Sequence, residues 1–204
     1  MDQKQIKYHL KRLTQLDSDL AEAFECYGAP APRQRPEGFE TFLSTIVSQQ
    51  ISTAAANAIM DRVRQTLPSV TAAGLDQVSD AALRAAGLSA RKIEYARGLA
   101  QATQTGALLI DQLRDFEDAQ VIEHITGLRG FGVWSAEIYC LFSLGRPDIF
   151  PAGDLALQIA LARLKGLDVK PTPKAARTLT EHWQPYRSAG ALFLWHYYHQ
   201  ISNP

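Results

Sequence analysis

Only two cysteines, Cys26 and Cys140, occur among the 204 residues. That excludes a disulfide framework, a four-thiolate zinc site and a cysteine-ligated iron–sulfur cluster. Long apolar runs are missing as well. The longest, Ile138–Phe142 and Ala191–Trp195, have five residues, against about 20 for a membrane-spanning helix, so no membrane partner is expected. Met1–Lys11 shows no basic segment followed by an apolar one, so no secretory signal is expected and a cytoplasmic location is. Net charge is absent too: 21 basic and 21 acidic side chains cancel. A uniformly basic nucleic-acid-binding domain is thereby excluded. The distribution is less even, because residues 84–100 carry Arg84, Arg91, Lys92 and Arg97 against Glu94 alone, and residues 163–187 carry six basic side chains against Asp168 and Glu181. Strand signals are lacking: there is no Asn-Gly or Asp-Gly hairpin and no sustained alternation of apolar and polar residues.

What remains is helical periodicity, in a composition that is 46% apolar and 21% charged, ordinary for a globular chain. Ile6, Leu10, Leu13, Leu20 and Phe24 form one apolar stripe ending before Gly28. Ala29–Pro36, with three prolines, reads as a stiff linker. Phe39, Phe42, Leu43, Ile46 and Val47 recur at offsets 0, 3, 4, 7 and 8, and Ala55–Val63 repeats the pattern up to Pro68. Further helices are expected after Ser79 or Asp80, after Ser89, over Phe116–Ile125, Val133–Leu144, Asp154–Leu164, Pro173–Trp183 and Tyr186–His199. The fold class is all-α, with about ten helices.

Two features carry chemistry. Thr126-Gly127-Leu128-Arg129-Gly130-Phe131-Gly132-Val133-Trp134 joins two helical patterns, and its three glycines permit positive φ or close backbone approach. Gly130 and Gly132 directly precede a helix, whose first-turn N–H groups lack intrahelical acceptors and suit an anion such as a DNA phosphate. A tight turn using glycine only for packing leaves the same trace. The second feature follows from reach. Val133–Leu144 is about 18 Å long, and the nine residues Gly145–Gly153 can span about 30 Å. The chain can therefore return to the glycine turn carrying Gly153-Asp154 at the start of the next helix. A plain helix N-cap worth about 1 kcal/mol is the competing role for Asp154.

Taken together, Leu128-x-Gly130-x-Gly132 and the Gly/Pro-containing loop ending in Asp154 resemble the helix-hairpin-helix (HhH-GPD) DNA glycosylase superfamily. Within it the chain is most similar to the DNA-3-methyladenine glycosylase II branch, in its compact all-helical form. The resemblance covers about residues 37–200 and departs from the family at Arg129, where proline is usual, a change expected to alter turn rigidity rather than chemistry.

The resemblance implies two helical subdomains with the active-site cleft between them: residues 37–133, ending in the DNA-binding hairpin, and residues 1–36 with 134–204, carrying the catalytic aspartate. Asp154 matches that aspartate. A carboxylate there stabilises the positive charge that grows on the sugar as the N-glycosidic bond breaks. An N-alkylated purine is already cationic and leaves neutral, so the second, acidic carboxyl group of sugar hydrolases is dispensable. Lyase-competent members carry lysine where this chain has Trp134, which implies a monofunctional hydrolase. Trp134 and Trp195 would wall the base pocket by stacking on the flipped cationic base, while Ile138 stands where some members have another aromatic. Gln50, with Gln49 as the alternative, aligns with the plug that fills the hole left in the duplex. Gly130 and Gly132 would present amides to phosphate. The main-chain carbonyls of Thr126, Leu128 and Phe131 would hold a structural Na+ or K+, with no other cofactor required. The implied partner is double-stranded DNA containing alkylated bases, bound by a monomer. A glycosylase for another lesion and a non-catalytic DNA-binding module remain the alternatives.

Overall fold

A computed structural model describes residues 1–202, and no strand occurs among them. The helices, in chain order, are α1 (Gln3–Leu13), α2 (Ser18–Tyr27), α3 (Phe39–Ser48), α4 (Thr53–Thr66), α5 (Ala72–Asp76), α6 (Asp80–Ala85), α7 (Ala90–Gln104), α8 (Asp118–Thr126), α9 (Val133–Phe142), α10 (Leu155–Leu164), α11 (Pro173–Leu179) and α12 (Arg187–Ser202). Their starts are chemically marked. Asp2, Asp17, Ser52, Thr71, Ser79, Ser89, Asp154 and Thr172 each accept a backbone N–H of the following first turn. Each such cap stabilises its helix by about 1 kcal/mol.

The chain divides into two compact units, Arg35–Ala136 and Met1–Gln34 with Glu137–Pro204. In the first, α3 packs on α4 and α7. Its Phe42, Leu43, Ile46 and Val47 are all buried, and full burial stabilises by about 1.5–3 kcal/mol for each large apolar side chain. In the second unit α12 packs on α1, α2 and α10, around Ile6, Leu10, Leu20, Leu157, Leu161, Trp183 and Phe193.

Three expectations are corrected here. The stripe Ile6–Phe24 belongs to two helices, because Asp17 leaves the helical conformation to cap α2. The stripe crosses the break because Ile6, Leu10 and Leu13 of the first helix and Leu20 of the second are all buried. Helix Pro173–Trp183 stops at Leu179 and continues as a 3-10 turn over Glu181–Trp183. The short α5 and a 3-10 turn over Ile110–Asp115 were not expected; α5 and the division of the first stripe bring the α-helices among the described residues to twelve rather than about ten.

Candidate active site

In the unit Arg35–Ala136, α3 ends at Ser48 and Ser52 caps α4, which leaves Gln49, Gln50 and Ile51 as a turn. Gln50 is exposed and adopts φ 60°, the only non-glycine positive φ among the described residues. Such a conformation costs about 1–2 kcal/mol for an ordinary side chain. Two long-range bonds hold the turn. The Gln49 side-chain amide donates from Nε2 to the Gly130 carbonyl at 2.8 Å. The Lys92 ammonium donates to the Val47 carbonyl at 2.7 Å, near the α3 C-terminus, where a cation is favoured. Partial burial pushes the Lys92 pKa down.

The glycine hairpin lies between α8 and α9. Of its three glycines only Gly130 needs to be glycine on conformational grounds. It has φ +97°, and a Cβ there would lie 2.5–2.9 Å from ring atoms of Tyr95. Gly127 has ordinary helical geometry, φ −65°. Gly132 has nothing within 4 Å of a Cβ position, so its outer side is open for a ligand's approach. Phe131 is buried edge-on against Phe42, ring centroids 5.6 Å apart, and anchors the hairpin in the core. Its N–H donates to the Leu128 carbonyl at 3.1 Å, so of the three carbonyls expected to face a cation (Thr126, Leu128, Phe131), that of Leu128 already accepts one hydrogen bond and keeps one lone pair. Arg129 is 77% exposed at its side chain and ion-paired with Glu94. Trp134, the second residue of α9, is 45% exposed and is therefore no core aromatic.

In the other unit, Asp154 caps α10. Its Oδ1 accepts the Leu157 N–H at 3.0 Å and the Trp195 indole Nε1–H at 3.1 Å. Two donors on one oxygen fix the rotamer of the carboxylate. The Trp195 ring in turn stacks on Phe142, centroids 5.5 Å apart, and the Arg33 guanidinium lies 5.3 Å from the centre of that Phe142 ring. The loop carrying Asp154 is tied down along its length. Asp148 accepts Nε and Nη2 of Arg187, one edge of the guanidinium, at 2.8 and 2.9 Å. Ser188 Oγ accepts the Ile149 N–H at 2.9 Å and donates to the Arg146 carbonyl at 2.6 Å. Arg177 reaches the Phe150 carbonyl and, at 2.6 Å, the buried Glu137. Buried Gln158 donates to the Ala152 carbonyl at 2.8 Å. Burial pushes the Glu137 pKa up, against the opposing pull of Arg177.

The structure thus joins Asp154 to Trp195 in one unit, and Gln49 to Gly130 in the other. Tyr139 and Ile138 are buried in α9. Tyr197 stacks on Phe193, 6.2 Å between centroids, and contacts Tyr27 edge-on. Its hydroxyl pKa is raised by burial. His196 meets the Tyr27 carbonyl at 2.9 Å. Sequence reasoning missed the loop ties through Arg177, Gln158, Arg187 and Ser188, and the part of Lys92. None of these contacts leaves a local trace, since their partners lie 6 to 45 residues away.

Chemically, a carboxylate with a fixed rotamer beside an indole can stabilise a cationic sugar centre and orient a water toward it. A glycine turn with an open outer face next to first-turn helix amides can receive a phosphate.

The chain is similar to known proteins over most of its length. Residues 43–185 match the model of the HhH-GPD superfamily base excision DNA repair proteins. The DNA-3-methyladenine glycosylase 1 of Schizosaccharomyces pombe is 29% identical over 191 residues, 92% of this chain and 84% of that protein. Among solved structures, the DNA-3-methyladenine glycosidase of Bacillus halodurans superposes with a TM-score of 0.87 at 35% identity, covering 95% of this chain and 90% of that one. The 3-methyladenine DNA glycosylase of S. pombe, in complex with abasic DNA, gives 0.81 at 29% identity, covering 92% and 95%. The hairpin that holds Gly130 against Tyr95 and the capped Asp154 both lie within the matched span, and this chain belongs to the HhH-GPD superfamily of base excision DNA repair proteins.

Proposed function

We propose that the chain is a monofunctional DNA glycosylase that flips N-alkylated purines, 3-methyladenine among them, out of duplex DNA and hydrolyses their N-glycosidic bond. The observation that carries this reading is Asp154 Oδ1 held by the Leu157 N–H and the Trp195 indole. The second donor sets an indole face beside the carboxylate, an arrangement suited to a cationic substrate. In the proposed reaction the carboxylate stabilises the oxocarbenium-like sugar as the bond breaks. The alkylpurine leaves with the electron pair of that bond as a neutral base, water adds to the anomeric carbon, and its proton passes to Asp154 or to solvent. Trp195, beside Asp154, supplies an aromatic face to the cationic base, an attraction of about 0.5–2 kcal/mol. With Trp134 in place of an amine nucleophile, no Schiff base forms and the strand stays intact at an abasic site.

Gly130 and Gly132 grip phosphate in this scheme, Gln50 fills the vacated stack, and the enzyme acts as a monomer. A monovalent cation on the carbonyls of Thr126, Leu128 and Phe131 would strengthen the phosphate grip. Replacing K+ with tetramethylammonium at constant ionic strength should then weaken DNA binding. The central test is base release from methylated duplex DNA, with strand scission scored before and after hot alkali. Free 3-methyladenine with cuts only after alkali is expected. Cuts without alkali would overturn the monofunctional reading, and retention of 3-methyladenine in the DNA would overturn the substrate.

A further inference from the structure

The turn that carries Gln50 is not a free loop. Gln50 sits at φ 60°, a conformation that a side-chain-bearing residue keeps only where its surroundings impose it. On one side, Lys92 grips the Val47 carbonyl at the end of α3. On the other, Gln49 donates its side-chain amide to the carbonyl of Gly130, 81 residues away. Gly130 is the one hairpin glycine with positive φ, and it is pressed against Tyr95. Tyr95 and Lys92 are neighbours on α7. Turn and hairpin are therefore fastened to one helix and to each other. The Gln49 bond also fixes the Gly130–Phe131 peptide plane, whose N–H already donates to Leu128.

We infer that Gln49 is a positioning residue: its amide locks the turn presenting Gln50 to the hairpin, so that strand grip and insertion into the duplex occur in one fixed register. The inference rests on the base-flipping reading above, but it concerns opening of the duplex rather than bond cleavage. It also separates the two glutamines. Gln50 projects as the plug, while the Gln49 amide is committed to holding the turn.

Two variants test it. Gln49→Ala removes the bond. Gln49→Glu keeps the size but sets an acceptor against the Gly130 carbonyl, so a mere space-filling role would survive it. The first readout needs no catalysis. A duplex carries 2-aminopurine opposite a tetrahydrofuran abasic analogue, and its fluorescence change on saturation with protein reports insertion beside the orphan base. Both variants should lose most of the change that wild type gives. A full change in either variant, or none with wild type, overturns the inference, whether or not the protein releases bases.

The second readout is kinetic. Single-turnover base release from a paired duplex should fall about tenfold, the loss of roughly one hydrogen bond's worth of orientation. Release from the same lesion in single-stranded DNA, where nothing need be opened, should fall at least fivefold less. Equal losses on the two substrates would mean a general structural defect and would overturn the positioning role. Asp154→Asn should fail on both.

Discussion

Asp17 offers the most quantitative test of how the second unit is held together. Its carboxylate is buried and takes five contacts: Lys165 Nζ at 2.6 and 2.7 Å, Trp183 Nε1 at 2.7 Å, His182 Nε2 at 2.9 Å and the Leu20 N–H at 3.1 Å. These join α2 to the end of α10 and to the 3-10 turn before α12. Burial alone would raise the pKa, but hydrogen bonds from Lys165, Trp183, Leu20 and His182 outweigh it and hold the carboxyl at about 2, against 3.8 when unperturbed. At about 1.4 kcal/mol per pH unit that difference is roughly 2–3 kcal/mol of folding stability. Because the folded pKa is depressed, the contribution is complete above about pH 4 and disappears as the pH falls through 2.

Asp17→Asn removes the charge while keeping the size, and it leaves the Lys165 ammonium with Asp19 as its remaining carboxylate partner. We expect a loss of about 2–4 kcal/mol at pH 7, seen as a melting temperature lower by roughly 5–12 °C for a chain of this length. Urea unfolding of both proteins from pH 7 down to pH 2 should show the gap closing between about pH 4 and pH 2, where the wild-type carboxyl also becomes neutral. Acid effects common to both proteins cancel in the difference. A gap below 0.5 kcal/mol at pH 7, or one that persists unchanged at pH 2, would mean that the ionised Asp17 carboxylate is no net source of stability.

Other consequences follow from the same geometry. Gly130→Ala should destabilise the protein by about 2–4 kcal/mol, since it adds a clash with Tyr95 to an unfavourable φ. Gly132→Ala should alter stability by less than about 1 kcal/mol yet weaken DNA binding, because its methyl group meets only the space a phosphate would take; thermal melts beside filter binding separate the two. Trp195→Phe keeps a ring but removes the donor to Asp154, and should slow single-turnover excision about tenfold with a smaller change in substrate affinity. Glu137→Gln should be neutral or stabilising at pH 7 in urea titrations. The raised pKa means that the charged form is the costly one there, and its Oε2 is buried without a partner.

The two motifs that gave direction to the sequence reading were legible because their signals are local. Asp154 follows a glycine and precedes an apolar helical stripe, and the structure shows it as the cap of α10. Ser89, the cap of α7, was readable on the same ground. Glycine spacing alone did not tell which hairpin glycine is conformationally required, since Gly127 and Gly132 look like Gly130 until Tyr95 is placed. The break at Asp17 was hidden because an apolar period can continue across two helices that bury the same core. Contacts such as Gln49–Gly130 and Asp17–Lys165, 81 and 148 residues apart, arise only on folding. The short α5 has too few turns for a period to show.

In the proposed reaction Asp154 performs the chemistry while the hairpin holds the DNA, and this division of roles can be measured. It is tested most directly by comparing wild type with Asp154→Asn on one methylated duplex, measuring single-turnover release of 3-methyladenine alongside affinity for the same DNA. Asparagine can still accept the Leu157 and Trp195 hydrogen bonds, so the fold and the grip should survive. Release should fall by at least about 100-fold, the scale on which losing a key electrostatic group acts, with affinity within a few-fold of wild type. Release at the wild-type rate by Asp154→Asn would contradict this division and leave Asp154 as a helix cap.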